Sequence, residues 1–185
     1  MGDAPESCQA PTQMGFPAAG RGVHYHEREG AARGCGRGKR GHMGSFRSAA
    51  EFRRVFERIF ELMNETPEVG RALRDAHAPH RFLITDLDLE FNVTAAPDAD
   101  ERKGRFLRWT WGTPGWEPVV TMKMSSDVAN RFFQGEENVA LALAFGRVKL
   151  SGPPLTLLRL APVTNPIHPV YREWLKTSGH AHLLA

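Results

Sequence analysis

The feature that most limits how this chain can fold is the stretch from Val139 to Phe145, in which no side chain is polar. Large residues stand at every second position, as they would in a buried strand, but alanine and leucine favour helix and Gly146 suits a helix end. The stretch therefore predicts a short helix that is apolar on every side. Such a helix must be covered on two sides at once, by the core and by another helix or a bound ligand.

Length and charge limit the class of protein. The chain has 185 residues, enough for one domain with its own core, and no apolar run approaches the roughly 20 residues that span a bilayer. Of its 24 Lys and Arg and 21 Asp and Glu, residues 1–44 hold six and four, so the remainder is almost neutral. Proteins that bind nucleic acid usually carry a concentrated basic face. We therefore expect a soluble protein with no nucleic-acid partner.

Residues 1–44 differ in composition from the rest. They hold ten of the 18 glycines and the Arg- and Gly-rich run from Arg33 to Gly41, so they bury too little apolar surface to fold. They lack the apolar stretch of a secretory signal, and their acidic residues argue against a transit peptide. We interpret them as a disordered, solvated tail. The folded domain is then expected over residues 45–179, followed by a flexible C-terminus at residues 180–185.

Two other interpretations of the tail are open. Its Arg and Gly residues are compatible with a weak RNA contact, although few aromatic residues are interleaved for base stacking. Cys8, His24, His26 and Cys35 carry metal-ligand atoms, but their spacing matches no paired Cys-x-x-Cys or zinc-finger pattern. Both cysteines of the chain lie here, which predicts no disulfide framework and fits a reducing cytoplasm.

Two helices are predicted before the strands. Ser48 and Glu51 form a capping box at the start of an amphipathic helix, and Thr66-Pro67 begins a second helix that runs through Ala76. The apolar face of the first helix recurs at steps of three and four residues and consists of Phe52, Val55, Phe56, Ile59, Phe60 and Met63. We assign these aromatic residues to core packing.

Three segments alternate between apolar and polar residues, as strands with one buried face do. They are Leu87 to Val93, Phe106 to Trp111 and Val119 to Met124. A polar turn from Ala95 to Lys103 separates the first two, and short connections throughout predict an antiparallel meander. Asp86, Asp88 and Glu90, in or next to the first segment, would stand apart in a row on its solvated face, so we do not assign them to metal binding or acid/base chemistry.

The C-terminal part reads as helices around one further strand. Ser125 to Asp127 supply cap residues for a helix that ends at Gly135. Arg147 to Leu150 is predicted as a strand, and Leu155 to Leu160 as a helix. The segment from Thr164 to Gly179 reads as an additional helix around Tyr171 and Trp174.

The order of these elements and the local amino-acid sequence resemble those of the sterol carrier protein 2 family. The matching residues are Val120 to Asp127, Phe132 to Glu136, and Asn138 to Gly152, which includes the spaced pair Gly146 and Gly152. The resemblance implies an α+β fold in which a five-stranded, mostly antiparallel sheet is covered by helices around a hydrophobic cavity. It also implies an apolar ligand such as a sterol, a fatty acid or an acyl-CoA, and no cofactor. The chain departs from the family in the added C-terminal helix and in lacking a C-terminal Ser-Lys-Leu, so we expect a cytoplasmic rather than a peroxisomal location.

Our first hypothesis is a non-catalytic protein that binds or transfers a lipid within the cell, with transient membrane contact and an oligomeric state left open. The residues expected to line its cavity come from strands and helices alike, and they are Leu89, Phe91, Trp109, Met122, Met124, Phe132, Leu141, Phe145, Leu157 and Leu158. Candidates for orienting a polar head at the rim are Arg131, Gln134 and Asn138.

Two alternatives remain. One is a scaffold or interaction subunit with a filled core and an exposed patch around Trp174. The other is an enzyme acting on the bound lipid, such as a thioesterase or hydrolase. Against it, the predicted domain has no cysteine, no Gly-x-Ser-x-Gly and no paired histidines of metal-site spacing. His77 and His80 flank Pro79, so we assign them to a turn, and we predict no catalytic or metal-binding residue.

Overall fold

The computed structural model describes residues 45–100 and 103–185. The interpretations of residues 1–44 concern a segment outside the described residues. The helices are α1 (Ala49–Glu65), α2 (Pro67–Asp75), α3 (Ser126–Gln134), α4 (Val139–Ala144), α5 (Pro154–Leu160) and α6 (Ile167–Thr177), with 3₁₀ helices at Ala161–Thr164 and Ala181–Leu183. The strands are β1 (His80–Ile84), β2 (Leu89–Asp100), β3 (Arg105–Trp111), β4 (Val120–Met124) and β5 (Lys149–Ser151).

Among the described residues, five strands form one sheet in the order β3-β2-β1-β4-β5. β1 runs parallel to β4, and the other three pairs are antiparallel. The predicted α+β class with a mostly antiparallel sheet is confirmed. The predicted meander is wrong at one point, because the chain leaves β3 at an edge and returns at β4 beside β1. The link from Gly112 to Val119 makes this crossing, and the Val119 amide donates to the Pro79 carbonyl at 2.8 Å.

The crossing arises because an additional strand, β1, lies between β2 and β4. This strand was not predicted from the sequence. β1 alternates buried His80, Phe82 and Ile84 with less buried residues, and it forms a hairpin with β2. The hairpin turn occupies the first part of the predicted strand from Leu87, and Asp88 there adopts a φ of 49°. At its other end β2 continues to Asp100, through residues predicted as a polar turn.

Helix α1 covers the sheet as its pattern predicts. Phe52, Phe56 and Phe60 are at most 2% exposed, and the rings of Phe52 and Phe56 stack at 3.9 Å. The Ser48 hydroxyl accepts from the Glu51 amide at 3.1 Å, which confirms this half of the predicted cap. The Glu51 carboxylate accepts from the Arg47 amide, one residue earlier than in the usual capping box.

The C-terminus differs from the expected flexible segment. Leu183 is 1% exposed, and its carbonyl accepts hydrogen bonds from the side-chain amides of Asn130 at 2.7 Å and Gln134 at 2.9 Å. The Tyr171 hydroxyl donates to Asn130 Oδ1 at 2.7 Å and connects α6 to the same group. These bonds form because α3 presents two buried amides whose donors need partners. The six residues after Gly179 are too few to show a periodic pattern, so the sequence carries no signal for such docking.

Candidate functional site: an apolar cavity under the sheet

A cavity lies between the inner face of the sheet and the helices. Its walls come from β1 to β4 on one side and from α1 to α5 and the first 3₁₀ helix on the other, and it is partly open to the surface. The strand register places Ala95 at one end of the wall and Met124, level with Leu89, at the other. Six residue steps at about 3.3 Å make this wall roughly 20 Å long. The wall is therefore long in the direction of the strands.

The free volume of the cavity is about 80 Å³. An apolar cavity of about 150 Å³ is known to bind one benzene molecule, so this space is about half of what a single aromatic ring occupies. Ligand pockets commonly measure about 300 to 1,000 Å³. The structure thus shows a vacancy in the core, but one that must widen to admit a whole lipid.

Four of the predicted lining residues lie in the cavity wall: Met122, Met124, Phe132 and Leu157. The two methionines face inward because alternate residues of β4 point to the same side of the sheet. Met63 of α1 joins them in the wall. Methionine is unbranched and flexible, so these positions can adapt to ligands of different shape.

The other six predicted residues lie outside the wall. Leu89, Phe91 and Trp109 belong to the core under α1, where the ring of Trp109 stacks on Phe60 at 5.5 Å. Three more face outward, since α4 and α5 turn other residues to the sheet, and their exposed fractions are 51% for Leu141, 71% for Phe145 and 41% for Leu158. A ligand contact by any of the ten residues stays a prediction.

His80 is a wall residue that sequence reasoning assigned to a turn. It begins β1, lies level with Val93 and Val120, and is 9% exposed. Burial lowers the pKa of its imidazole to about 4, and a hydrogen bond with the Ala78 backbone opposes part of that change. The ring is therefore neutral at neutral pH. The alternation of His80 with two buried residues of β1 was the signal that could have revealed its inward orientation.

At the opposite end, Glu137 places a carboxylate in the wall. Its side chain is 5% exposed, and Oε1 lies 2.6 Å from Nη2 of Arg147. Arg131 Nε lies 3.9 Å from the other carboxylate oxygen. Glu137 also lines an open surface groove of about 580 Å³, whose walls include both arginines. The ion pair with Arg147 thus separates the apolar cavity from a polar groove.

Two of the three residues predicted to orient a ligand head have structural roles. Gln134 is fully buried, donates to the Leu183 carbonyl and accepts from the Ala185 amide at 2.9 Å. Asn138 caps α4 by accepting from the Leu141 amide at 3.0 Å. Arg131 remains at the groove beside Glu137. Any contact of the three with a ligand stays a prediction.

The cover of the cavity is thinnest at α4 and α5. Within the described residues, α4 buries only Ala142 and α5 buries only Leu157, and both of these side chains line the cavity. The outer faces of the two helices expose apolar residues, with Leu155 64% exposed on α5. Elements with few buried apolar contacts open at low free energy. Outward movement of α4 and α5 is therefore the easiest way to enlarge the cavity.

The described part of the chain has neither a metal-binding cluster nor a membrane-spanning helix. In residues 45–100 and 103–185, no three side chains of His, Cys, Asp or Glu lie close enough together to hold a metal ion. None of the helices described there has the length and apolarity that crossing a membrane requires.

No family model and no curated protein matches the chain. Solved structures do match, at low identity. The sterol carrier protein domain 2 of Helicoverpa armigera is 16% identical, with 62% of this chain and 88% of that chain covered and a TM-score of 0.46. The apo form of sterol carrier protein 2 from Yarrowia lipolytica is 12% identical, with 55% and 77% covered and a TM-score of 0.42.

A different structure also matches, the stereoselective inverting sec-alkylsulfatase Pisa1 from Pseudomonas sp., at 17% identity and a TM-score of 0.39. The match covers 49% of this chain but only 14% of the alkylsulfatase. The chain thus spans a small part of that enzyme. The observed five-stranded sheet with its covering helices has the arrangement expected from the sequence resemblance.

Proposed function

We propose that residues 45–179, with the docked C-terminal residues 180–185, form a domain that binds a hydrophobic ligand in the apolar cavity and does not transform it. Sterols, fatty acids and acyl-CoA are the ligand classes expected from the sequence resemblance. The observation that carries the proposal is a partly open vacancy in the core, lined almost wholly by apolar side chains. Apolar cavities stay dry and bind apolar guests. A cytoplasmic location stays a prediction from cysteine usage.

Energetics decides how much of the ligand must enter. Filling a void of about 80 Å³ recovers about 2 kcal/mol, at about 24 cal/mol per Å³. A micromolar dissociation constant requires about 8 kcal/mol, and burying about ten methylene groups supplies that amount before association costs. The existing vacancy alone is therefore too small for micromolar binding. Opening at α4 and α5 must expose more apolar wall to the chain of the ligand.

Such opening suits a carrier because the same movement that admits a ligand releases it. The exposed Leu141 and Phe145 on the outer face of α4 give this cover an apolar outer surface as well. Binding at micromolar strength, after association costs, leaves the complex exchangeable. We expect both uptake and release to occur in this region.

The test compares two substitutions on one helix. Ala142 is fully buried in the cavity wall, and Ala140 is exposed on the same helix. Ala142→Phe fills the vacancy and should weaken binding of dodecanoate and of 1-dodecanol at least tenfold, measured by displacement of Nile red. Ala140→Phe adds the same ring to the surface and should leave both affinities unchanged. If Ala142→Phe does not fold, Ala142→Leu replaces it.

If neither dodecanoate nor 1-dodecanol binds saturably to the wild-type protein at tens of micromolar, the proposal is refuted. Equal affinities in Ala142→Phe and wild type would show that any bound lipid lies outside the cavity. Thermal unfolding of each variant separates lost binding from lost folding.

The scaffold alternative keeps one supporting observation, which is the small free volume of the cavity. Its predicted surface around Trp174 is less open than expected, because the indole stacks on Tyr171 at 6.3 Å and on His180 at 5.1 Å. A scaffold would form a defined oligomer in light scattering and bind no lipid. A monomer with saturable lipid binding would exclude it.

A further inference from the structure

The polar groups of the cavity wall are unevenly distributed. Within the described part of the wall, the polar side chains are those of His80, Thr94, Glu137 and Thr164. Glu137 stands at the groove end, paired with Arg147. His80 follows α2 in the chain, and the 3₁₀ helix that ends at Thr164 packs against α2. His80 lies level with Val93, two positions from Ala95, and so belongs to the other end, while Thr164 lies on a helix that packs against α2.

The end near α2 offers hydrogen-bond acceptors rather than charges. Thr164 is 5% exposed and donates its hydroxyl proton to the Ala161 carbonyl at 2.8 Å. The lone pairs of the hydroxyl oxygen can then act as hydrogen-bond acceptors. A neutral imidazole has one donor nitrogen and one acceptor nitrogen. Burial keeps the pKa of His80 near 4, so the acceptor is present at neutral pH. Among the described wall residues around these two side chains, none is an arginine or lysine.

From this arrangement we infer that the cavity selects chains whose head is an uncharged hydroxyl group, with His80 accepting its hydrogen bond, over chains that end in a carboxylate. This inference rests on the proposed function and names the chemistry of its ligand. A hydroxyl supplies a donor for these acceptors. A carboxylate at neutral pH supplies only acceptors and would lose its hydration without gaining a partner.

One competing geometry places a carboxylate elsewhere. A fatty acid could lie with its head at the groove end, beside Arg147, and its tail toward His80. There the ligand would have to displace Glu137, whose carboxylate already lies 2.6 Å from the Arg147 guanidinium. That exchange replaces one charge-assisted pair by another and leaves Glu137 without its close partner.

The test uses three ligands of equal chain length, 1-dodecanol, its methyl ether and dodecanoate, in displacement of Nile red at pH 7.4. The alcohol and the ether differ in the donated proton. We expect the alcohol to bind at least tenfold more tightly than dodecanoate and about fivefold more tightly than the ether, the latter being the factor of one net hydrogen bond. His80→Phe should abolish the difference between alcohol and ether. His80→Gln retains an acceptor and should preserve it.

Met122→Leu is the matched control, because it changes an apolar wall residue and should alter all three affinities by the same factor. If the alcohol and ether bind equally in wild type, or if His80→Phe leaves their difference intact, the inference is overturned while lipid binding stands. Dodecanoate binding as tight as dodecanol, and lost in Arg147→Gln, would establish the competing geometry. If none of the three compounds binds, the proposed function itself fails and the inference with it.

Discussion

Acidification should destabilise this protein through His80. Its pKa in the folded protein is about 4, against 6.5 for an unperturbed histidine, because burial disfavours the charged ring. Between these values the unfolded chain binds the proton more readily than the folded protein does. The contribution of the neutral His80 ring to the free energy of unfolding is therefore fully present above pH 6.5, and it is lost as the pH falls toward 4. The difference between the two pKa values corresponds to about 3 kcal/mol, of which about 2.5 kcal/mol is lost between pH 7.5 and 4.5.

The assay is urea unfolding followed by tryptophan fluorescence at pH 7.5, 6.5, 5.5 and 4.5. Other groups also titrate over this range, so the quantity of interest is the difference in pH dependence between wild type and His80→Phe. Between pH 7.5 and 4.5, the free energy of unfolding of wild type should fall by about 2.5 kcal/mol more than that of the variant, which has no imidazole to protonate. His80→Leu serves if the phenylalanine does not fit.

His77→Asn is the control. His77 is an exposed turn residue with a φ of 46°, a region that asparagine tolerates better than most residues. This variant should follow the wild-type curve. Parallel curves for wild type and His80→Phe would refute the reasoning, because they would mean that His80 accepts a proton in the folded protein without cost.

The remaining predictions concern packing and buried hydrogen bonds, and both are measured as the free energy of unfolding in urea. Gly70→Ala should destabilise by about 1 to 3 kcal/mol, because the new methyl group would lie 2.6 Å from Cγ of Phe106, while Gly115→Ala, with nothing within 4 Å, should change little. Tyr171→Phe should cost about 1 to 3 kcal/mol, because Asn130 loses the donor to its buried Oδ1. A loss below 0.5 kcal/mol in either the glycine or the tyrosine variant would contradict the packing or the bond described for it.

The sequence was sufficient to predict an element where its local signals agree with its packing in the fold. Helix α3 has Ser125 as its cap, whose hydroxyl accepts from the Val128 amide, and ends at Gly135 with a φ of 79°. The apolar stretch from Val139 was correctly predicted as a helix, since alanine and leucine outweighed its period of two. In β4 the alternation correctly placed Met122 and Met124 on the inner face.

Predictions that depended on contacts between distant parts of the chain were less accurate. Leu141 and Phe145 were expected in the cavity, but a six-residue helix can present only one side to the sheet, and Ala142 occupies it. Asp86 was interpreted as solvated. It instead accepts from the Ser126 amide at 2.8 Å and so fixes the start of α3. That contact joins residues 40 apart in the chain and leaves no local signal.

By itself, the sequence determined which segments are helix or strand over most of the domain, because periodicity and capping act over a few neighbouring residues. It also determined that the interior would be apolar and lined in part by methionine. Only the tertiary structure decided that β4 pairs with β1, that His80 faces the cavity, and that the vacancy measures about 80 Å³. These properties depend on how side chains distant in the chain fill a shared space, and packing on that scale is a property of the assembled layers.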